Sequence, residues 1–265
     1  VCLTVKKLKP ICQNYESNEE RSDLIREEDR SIVVVGPHGP GLGDTGGLIL
    51  KCVALGKEVT VVCLSHSIYS PGGPEEQERR GRQMASAFGV KNVVWLNEVD
   101  TQIKDTISLR HDLVRVFREF KADIVLCPSG QNPHPDAVGA SYAASYAACH
   151  ASLEGVLPEV GPVHTVQAVY LYPGYAFAMG FKPTVYLDIT DVAEKKYELL
   201  TRFARDKVPH VYEYGATPPP YSKHSPIEVV LDRERWWGMA SGVRYAEAYD
   251  SFWASHLGVR TVNIR

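Results

Sequence analysis

Apolar positions in this chain come as short unbroken runs, separated by helix-length stretches of mixed character. Ile32-Val33-Val34-Val35 is a continuous β-branched run stopped by Gly36-Pro37, the pattern of a strand buried on both faces. A glycine-rich turn leads into a helix over Gly46 to Leu55, closed by Gly56, and Glu58 to Leu64 is a second buried strand. Strand, helix, strand is a βαβ unit with a right-handed crossover. The alternation continues with a helix over Pro74 to Phe88, a strand over Asn92 to Leu96 and a helix over Thr106 to Phe120. That last helix carries Leu109, Leu113, Val116, Phe117 and Phe120 on one side. Asp123 to Cys127 is a strand ended by Pro128, and Ala137 to Leu153 a small-residue helix. Val163 to Tyr172 and Thr184 to Ile189 read as strands, and Ala193 to Ala204 as a helix. The pattern predicts an α/β fold: a doubly wound, mostly parallel, Rossmann-like sheet with helices on both faces.

Residues 13 to 31 are dense in charge and poor in large apolar side chains, so 1–30 reads as an exposed polar leader and 31–265 as one domain. A proline-rich loop over 215–226 precedes a final segment ending in Val243-Arg244-Tyr245-Ala246.

Composition narrows the classes. With 44% hydrophobic and 23% charged residues among 265, and a net charge of -3, the chain is ordinary globular material. Its charges are interspersed, without the clustered basic face that nucleic acid requires. No apolar run approaches the roughly 18 to 20 residues that cross a bilayer. Val1 to Cys12 is too interrupted by lysines for a secretory segment. Six cysteines show no CxxC spacing, and four sit in apolar segments, as buried reduced thiols do. A cytoplasmic protein acting on a small molecule is the expectation, with no nucleic-acid or membrane partner.

In an open parallel sheet, ligands bind beyond the carboxyl ends of the strands, where strand order reverses. The turn after the first strand carries His38, and the turn after the Asp123–Cys127 strand carries His134. If the two strands are neighbours, two imidazoles converge, the start of a divalent-metal site that a carboxylate would complete. The plain alternative is a histidine that caps a helix. Gly41-Leu42-Gly43-Asp44-Thr45-Gly46 matches GxGxxG, but the next strand ends in Ser65-His66 with no acidic residue to hold a ribose. That weighs against a nucleotide. On the substrate side, Arg79 and Arg80 have the chemistry of a carboxylate clamp, with a solvated helix face as the rival reading. Tyr142 and Tyr146, four apart, either reach the site or pack, Glu247 is placed to shape a pocket, and His66 is a spare imidazole. Trp236-Trp237 reads either as core or as a contact in a homo-oligomer.

Taken in order, these pieces resemble the LmbE-like/PIG-L superfamily of zinc-dependent N-deacetylases. They are Val33-Val34-Val35-Gly36-Pro37-His38, Gly46-Gly47, the Lys57–Leu64 strand, Arg79-Arg80, Ala85 to Val90, Ala122 to Leu126, and His134-Pro135-Asp136. Leu187-Asp188-Ile189-Thr190, Lys195-Lys196 and Tyr245-Ala246-Glu247-Ala248-Tyr249 continue the match, which spans 31–255. The resemblance implies Zn2+ and a site built on His38, His134 and Asp136, with His38, His134 and Asp44 as the expected ligand set. Two family positions are altered. The turn's paired aspartates are replaced by Pro40 and Gly41, and a second-motif histidine by Ala137. One branch, resembling 4-oxalomesaconate hydratase, has a His-Pro-x-Ala pattern that His134-Pro135-Asp136-Ala137 fits, and it also lacks the general-base aspartate. This alignment implies metal-assisted hydration or dehydration of a small polar carboxylated substrate, a hydro-lyase. Metal-dependent N-deacetylation of an amino sugar, and a metal-free enzyme or inactive ligand-binding protein, are the alternatives.

Overall fold

The first strand, β1 (Ser31–Gly36), sends alternate side chains into two separate apolar layers. Ile32 and Val34 join one buried cluster, Val33 and Val35 the other, and all four are fully buried. This is what an unbroken β-branched run accomplishes: both faces of the strand lie in core. The computed structural model describes residues 24–68, 72–174, 180–205, 226–252 and 260–262. Within them β1 is followed by α1 (Leu42–Ala54), β2 (Glu58–His66), α2 (Gly73–Ala87), β3 (Asn92–Val99), α3 (Ile107–Glu119), β4 (Ile124–Pro128) and α4 (Pro135–His150). Then come β5 (Ala168–Tyr172), β6 (Val185–Asp188), α5 (Ala193–Arg205), α6 (Pro226–Ser241), β7 (Ala246–Ser251) and β8 (Arg260–Val262).

The sheet order is β3-β2-β1-β4-β5-β7-β6-β8. Strands β1 to β5 pair in parallel, β7 runs antiparallel to both β5 and β6, and β8 is parallel to β6. Helices α3 and α4 cover one face through Leu109, Leu113, Phe117 and the alanines of α4. Buried residues of α1, α2, α5 and α6 belong to the layer on the other face. The expected doubly wound architecture is therefore the one observed. Because β1 lies between β2 and β4, strand order reverses at the β1–β4 pair, registered Ile32 to Ile124. The loops leaving these two strands carry His38 and His134.

Several sequence expectations shift. Helix α1 begins at Leu42, with Gly41 as its left-handed N-cap (φ 64°), so Gly46 and Gly47 lie inside the helix. Close approach requires them. A Cβ on Gly47 would stand 2.6 Å from Ile189 and 2.9 Å from Glu247, and one on Gly46 would stand 2.8 Å from Phe88. The fifth strand is shorter than its apolar run suggests, and α6 and the β7–β8 region were not legible as elements. The polar leader enters the core at its end, with Leu24 and Ile25 buried; its first 23 residues and most of the proline-rich stretch lie outside the described residues. The tryptophan pair divides, Trp237 buried and Trp236 exposed. Cys52, Cys63 and Cys127 are buried free thiols, Cys149 is free and half-buried, and Cys2 and Cys12 fall outside the described residues. Burial pushes the Cys52 and Cys127 thiols up to about 12, which leaves them inert at neutral pH.

Candidate metal centre

His38 follows β1 on a loop pinned to the neighbouring strand. The Ser65 backbone N–H and hydroxyl both donate to the Pro37 carbonyl, at 2.9 and 3.1 Å. With its one hydrogen so used, the Ser65 hydroxyl accepts from His38 Nδ1, 2.8 Å away. The His38 ring thus carries its proton on Nδ1 and keeps a lone pair on Nε2, the arrangement an outer-shell partner imposes on a metal-ligating imidazole. Ser65 is fully buried, so the Ser65–His38–carboxylate series is not a nucleophilic triad: its hydroxyl cannot meet a substrate.

Nε2 of His38 faces two carboxylates, Asp136 Oδ2 at 3.4 Å and Asp100 Oδ1 at 3.5 Å. It is buried and makes no hydrogen bond to any of the described residues. Desolvation holds the His38 pKa below its ordinary value, outweighing the upward pull of Asp100 and Asp136, and His134 adds to the lowering. A neutral ring therefore presents a lone pair to two carboxylate oxygens with no proton between them. Such a convergence calls for a cation. Two ligand atoms about 2.0–2.2 Å from one tetrahedral ion sit roughly 3.3–3.6 Å apart, which the two observed separations match. The donor set fits a divalent metal.

Backbone donors hold both carboxylates. Asp136 accepts from Thr101 N (2.6 Å) and Ile103 N (3.2 Å), and Asp100 accepts from Ile68 N (2.7 Å). Thr101 adopts φ +69°, a conformation unfavourable for a β-branched residue, and in it aims its N–H at Asp136. His134 is the N-cap of α4. Its Nδ1 accepts from Asp136 N at 3.2 Å, and its own N–H donates to Asn132 Oδ1 at 3.0 Å. Because Nδ1 acts as acceptor, the neutral ring keeps its proton on Nε2, which makes His134 a proton donor. The two imidazoles stand 5.2 Å apart, edge to face. His38, His134 and Asp136 each offer a ligand atom within 4.8 Å of the others.

The remaining nominations separate. Asp44 does not join the cluster: its carboxylate pairs with Arg233 at 2.8 Å, both side chains almost fully buried, whereas Asp100 approaches His38. Glu247 is fully buried and accepts from Gly47 N, Leu48 N and Tyr249 as well as pairing with Lys196. Arg79 is exposed and tied to Glu76 and Gln83. Arg80 also pairs with Glu76, yet its Nη1 is buried without an acceptor among the described residues. Tyr142 and Tyr146 are partly exposed and stacked on each other, centroids 6.3 Å apart. His66 is committed to a stack on Trp95 (4.7 Å) and to Glu78. The glycines of the GxGxxG match serve helix packing and capping. Asp100 was missed, although it too follows the carboxyl end of a parallel strand.

Residues 42–148 match the family model for PIG-L, GlcNAc-PI de-N-acetylase. The diacetylchitobiose deacetylase of Thermococcus kodakarensis is 26% identical over 254 residues, covering 88% of this chain and 85% of that one. Among solved structures, the conserved protein TT1542 from Thermus thermophilus superposes with a TM-score of 0.70 at 24% identity, over 84% of this chain and 94% of its own. GalB, the 4-carboxy-2-hydroxymuconate hydratase of Pseudomonas putida, gives 0.68 at 23% identity, over 84% and 96%. These structural likenesses at low identity show a shared fold. The family model lies across the segment that carries Asp100, His134 and Asp136, and the chain shares its fold with TT1542 over most of its length, so this part of the protein is similar to PIG-L.

Proposed function

We propose that this protein is a divalent-metal enzyme, with Zn2+ the best match to its donors, that adds water to, or removes it from, a small polar unsaturated carboxylate. His38 Nε2, Asp136 and Asp100 would hold the ion, three protein ligands that leave a further position open. An ion bound there supplies Lewis acidity and a water whose pKa is lowered towards neutrality. His134, with a proton on Nε2 and Nδ1 held by the Asp136 N–H, is the proton carrier. Arg80, paired with Glu76 and partly exposed, is the candidate to meet a substrate carboxylate, in the bidentate manner a guanidinium favours.

The observation that carries this reading is that His134 is the one group of the cluster left to move a proton. Both aspartates are bound to backbone N–H groups, and Gly39, Pro40 and Gly41 offer no side-chain base. Hydration of an activated enoic acid works with one carrier. His134 gives its Nε2 proton to one carbon as a hydroxide oxygen bonds to the other and the double bond is lost, and the proton shed when water became hydroxide restores Nε2. Amide hydrolysis must also protonate a departing amine. It remains the second reading, favoured by the 26% identity to a deacetylase along most of the chain.

The experiment offers the zinc-loaded protein two substrate panels. Conjugated enoic diacids are followed by loss of ultraviolet absorbance, and N-acetylated amino sugars by release of acetate. Turnover of the first alone, reduced about 10²- to 10⁴-fold in His134→Gln, supports the hydro-lyase. Acetate release alone supports the second reading, and turnover of neither overturns both.

A further inference from the structure

Arg233, on α6, is buried nearly to the last atom, far along the chain from either histidine. Its guanidinium reaches two arms of the site. Nη1 pairs with Asp44 Oδ1 at 2.8 Å and donates to the Gly174 carbonyl at 3.3 Å, and the group lies 5.0 Å from the centroid of the Trp237 ring. Asp44 belongs to the first turn of α1. Its N–H, together with the N–H and hydroxyl of Thr45, donates to the carbonyl of Gly41, at 3.1 to 3.2 Å. Gly41, three residues after His38, is an N-cap with no side chain to cap with, so an interaction outside the helix has to hold this turn in place. Gly174 is the second arm. A Cβ there would meet Asn132 Nδ2 at 2.9 Å; that amide donates to Pro173 O while its Oδ1 accepts from His134 N.

The neighbouring Glu234 reaches the same helix by another route. It pairs with the fully buried Lys196, which pairs with Glu247, and Glu247 accepts from Gly47 N and Leu48 N, at 2.6 and 2.9 Å. Two consecutive residues of α6 thus hold α1 at two levels, Arg233 at the turn after His38 and Glu234 one turn further on. A buried ion pair adds little net stability compared with apolar packing. Two such pairs aimed at one helix are better explained by the position they impose.

We infer that Arg233 is a positioning residue for the candidate metal centre, fixing the His38 loop through Asp44 and the first turn of α1, and the His134 turn through Gly174 and Asn132. It touches neither a ligand atom nor a substrate. The inference rests on the metal reading for one of its two measurements and is independent of it for the other.

The test compares wild type, Arg233→Met, Arg233→Lys, Asp44→Asn and Arg118→Met in the full chain. Arg118 is a control: it too is a buried guanidinium, but it caps α4 through the carbonyls of Ala151, Leu153 and Leu157. The first measurement uses metal-free protein and follows the 1H–15N signal of His38 Nδ1–H, assigned by its loss in His38→Gln. Arg233→Met and Asp44→Asn should lose or broaden it, Arg233→Lys should partly restore it, and Arg118→Met should keep it even if melting falls equally. The second is a Co2+ titration read by visible absorption. Arg233→Met should weaken binding about 10- to 100-fold, the usual cost of an outer-shell change, whereas Arg118→Met should bind as wild type does. If Arg233→Met does not fold, Asp44→Asn and Arg233→Lys decide on the same readouts. An unchanged His38 signal in Arg233→Met and Asp44→Asn overturns the inference. A wild type that takes up no Co2+ while the His38 signal responds as expected overturns the metal reading and leaves the positioning role standing.

Discussion

Asp100 Oδ1 lies 3.5 Å from His38 Nε2, although the two residues leave different strands, β3 and β1, on the same sheet edge. Asp100 is buried, and its other oxygen is held by Ile68 N. If Asp100 is the third ligand, Asp100→Asn should weaken Zn2+ or Co2+ binding by at least about tenfold, on the scale of known ligand-support losses. Equilibrium dialysis measures this. An affinity equal to wild type would reduce the site to His38, Asp136 and His134.

Ser65→Ala removes the acceptor that keeps the His38 proton on Nδ1. The ring then loses its fixed tautomer, and metal affinity is expected to drop about 10- to 100-fold, with little change in melting temperature. Isothermal titration with Zn2+ checks it, and Ser65→Thr, which keeps the hydroxyl, should retain most of the affinity.

The buried Lys196 network makes a prediction about pH. Burial pushes the Glu234 carboxyl up from its ordinary 4.5 to about 7, against the pull of Lys196. Between those values the folded protein binds more protons than the unfolded chain, so stability falls as pH rises from about 4.5 towards 7. The slope attributable to this group is at most about 1.4 kcal/mol per pH unit. Urea unfolding at pH 5 and pH 7.5 should show the loss in wild type, and Glu234→Gln should flatten it. Lys196→Met, which strands two buried carboxylates, should cost about 3–5 kcal/mol at pH 7.5.

Gly47 is an interior helix position at which alanine ordinarily stabilises by roughly 0.5–1 kcal/mol. Here the added methyl meets Ile189 at 2.6 Å and Glu247 at 2.9 Å. Gly47→Ala should instead destabilise by about 1–3 kcal/mol, as overpacked cores do. Thermal unfolding decides the sign.

What was legible in the sequence follows from how each signal is encoded. The β1–β4 neighbourhood and the two facing histidines were readable, because buried parallel strands are continuous apolar runs and their ends mark the binding edge. Gly46-Gly47 reads as the start of a helix because glycine is rare inside one, whereas α1 already begins at Leu42 and Phe88, Ile189 and Glu247 crowd its backbone at these two positions. Helix α6 was missed because it buries charges, Arg233 and Glu234, that hide its apolar periodicity. Asp44 was expected at the metal because it lies near His38 in sequence. Its actual partner, Arg233, is nearly two hundred residues away and reaches it only through the folded C-terminal half. Asp100 was overlooked because an aspartate after a strand carries no motif. Only the fold brings it to His38.

Metal analysis of the purified full chain, after dialysis against zinc and then buffer, tests the central claim most directly. About one Zn2+ per chain is expected, retained by His66→Gln and lost in both His38→Gln and Asp136→Asn. Wild-type protein that holds no zinc, or a His38→Gln variant that holds as much as wild type, would contradict a metal centre built on His38.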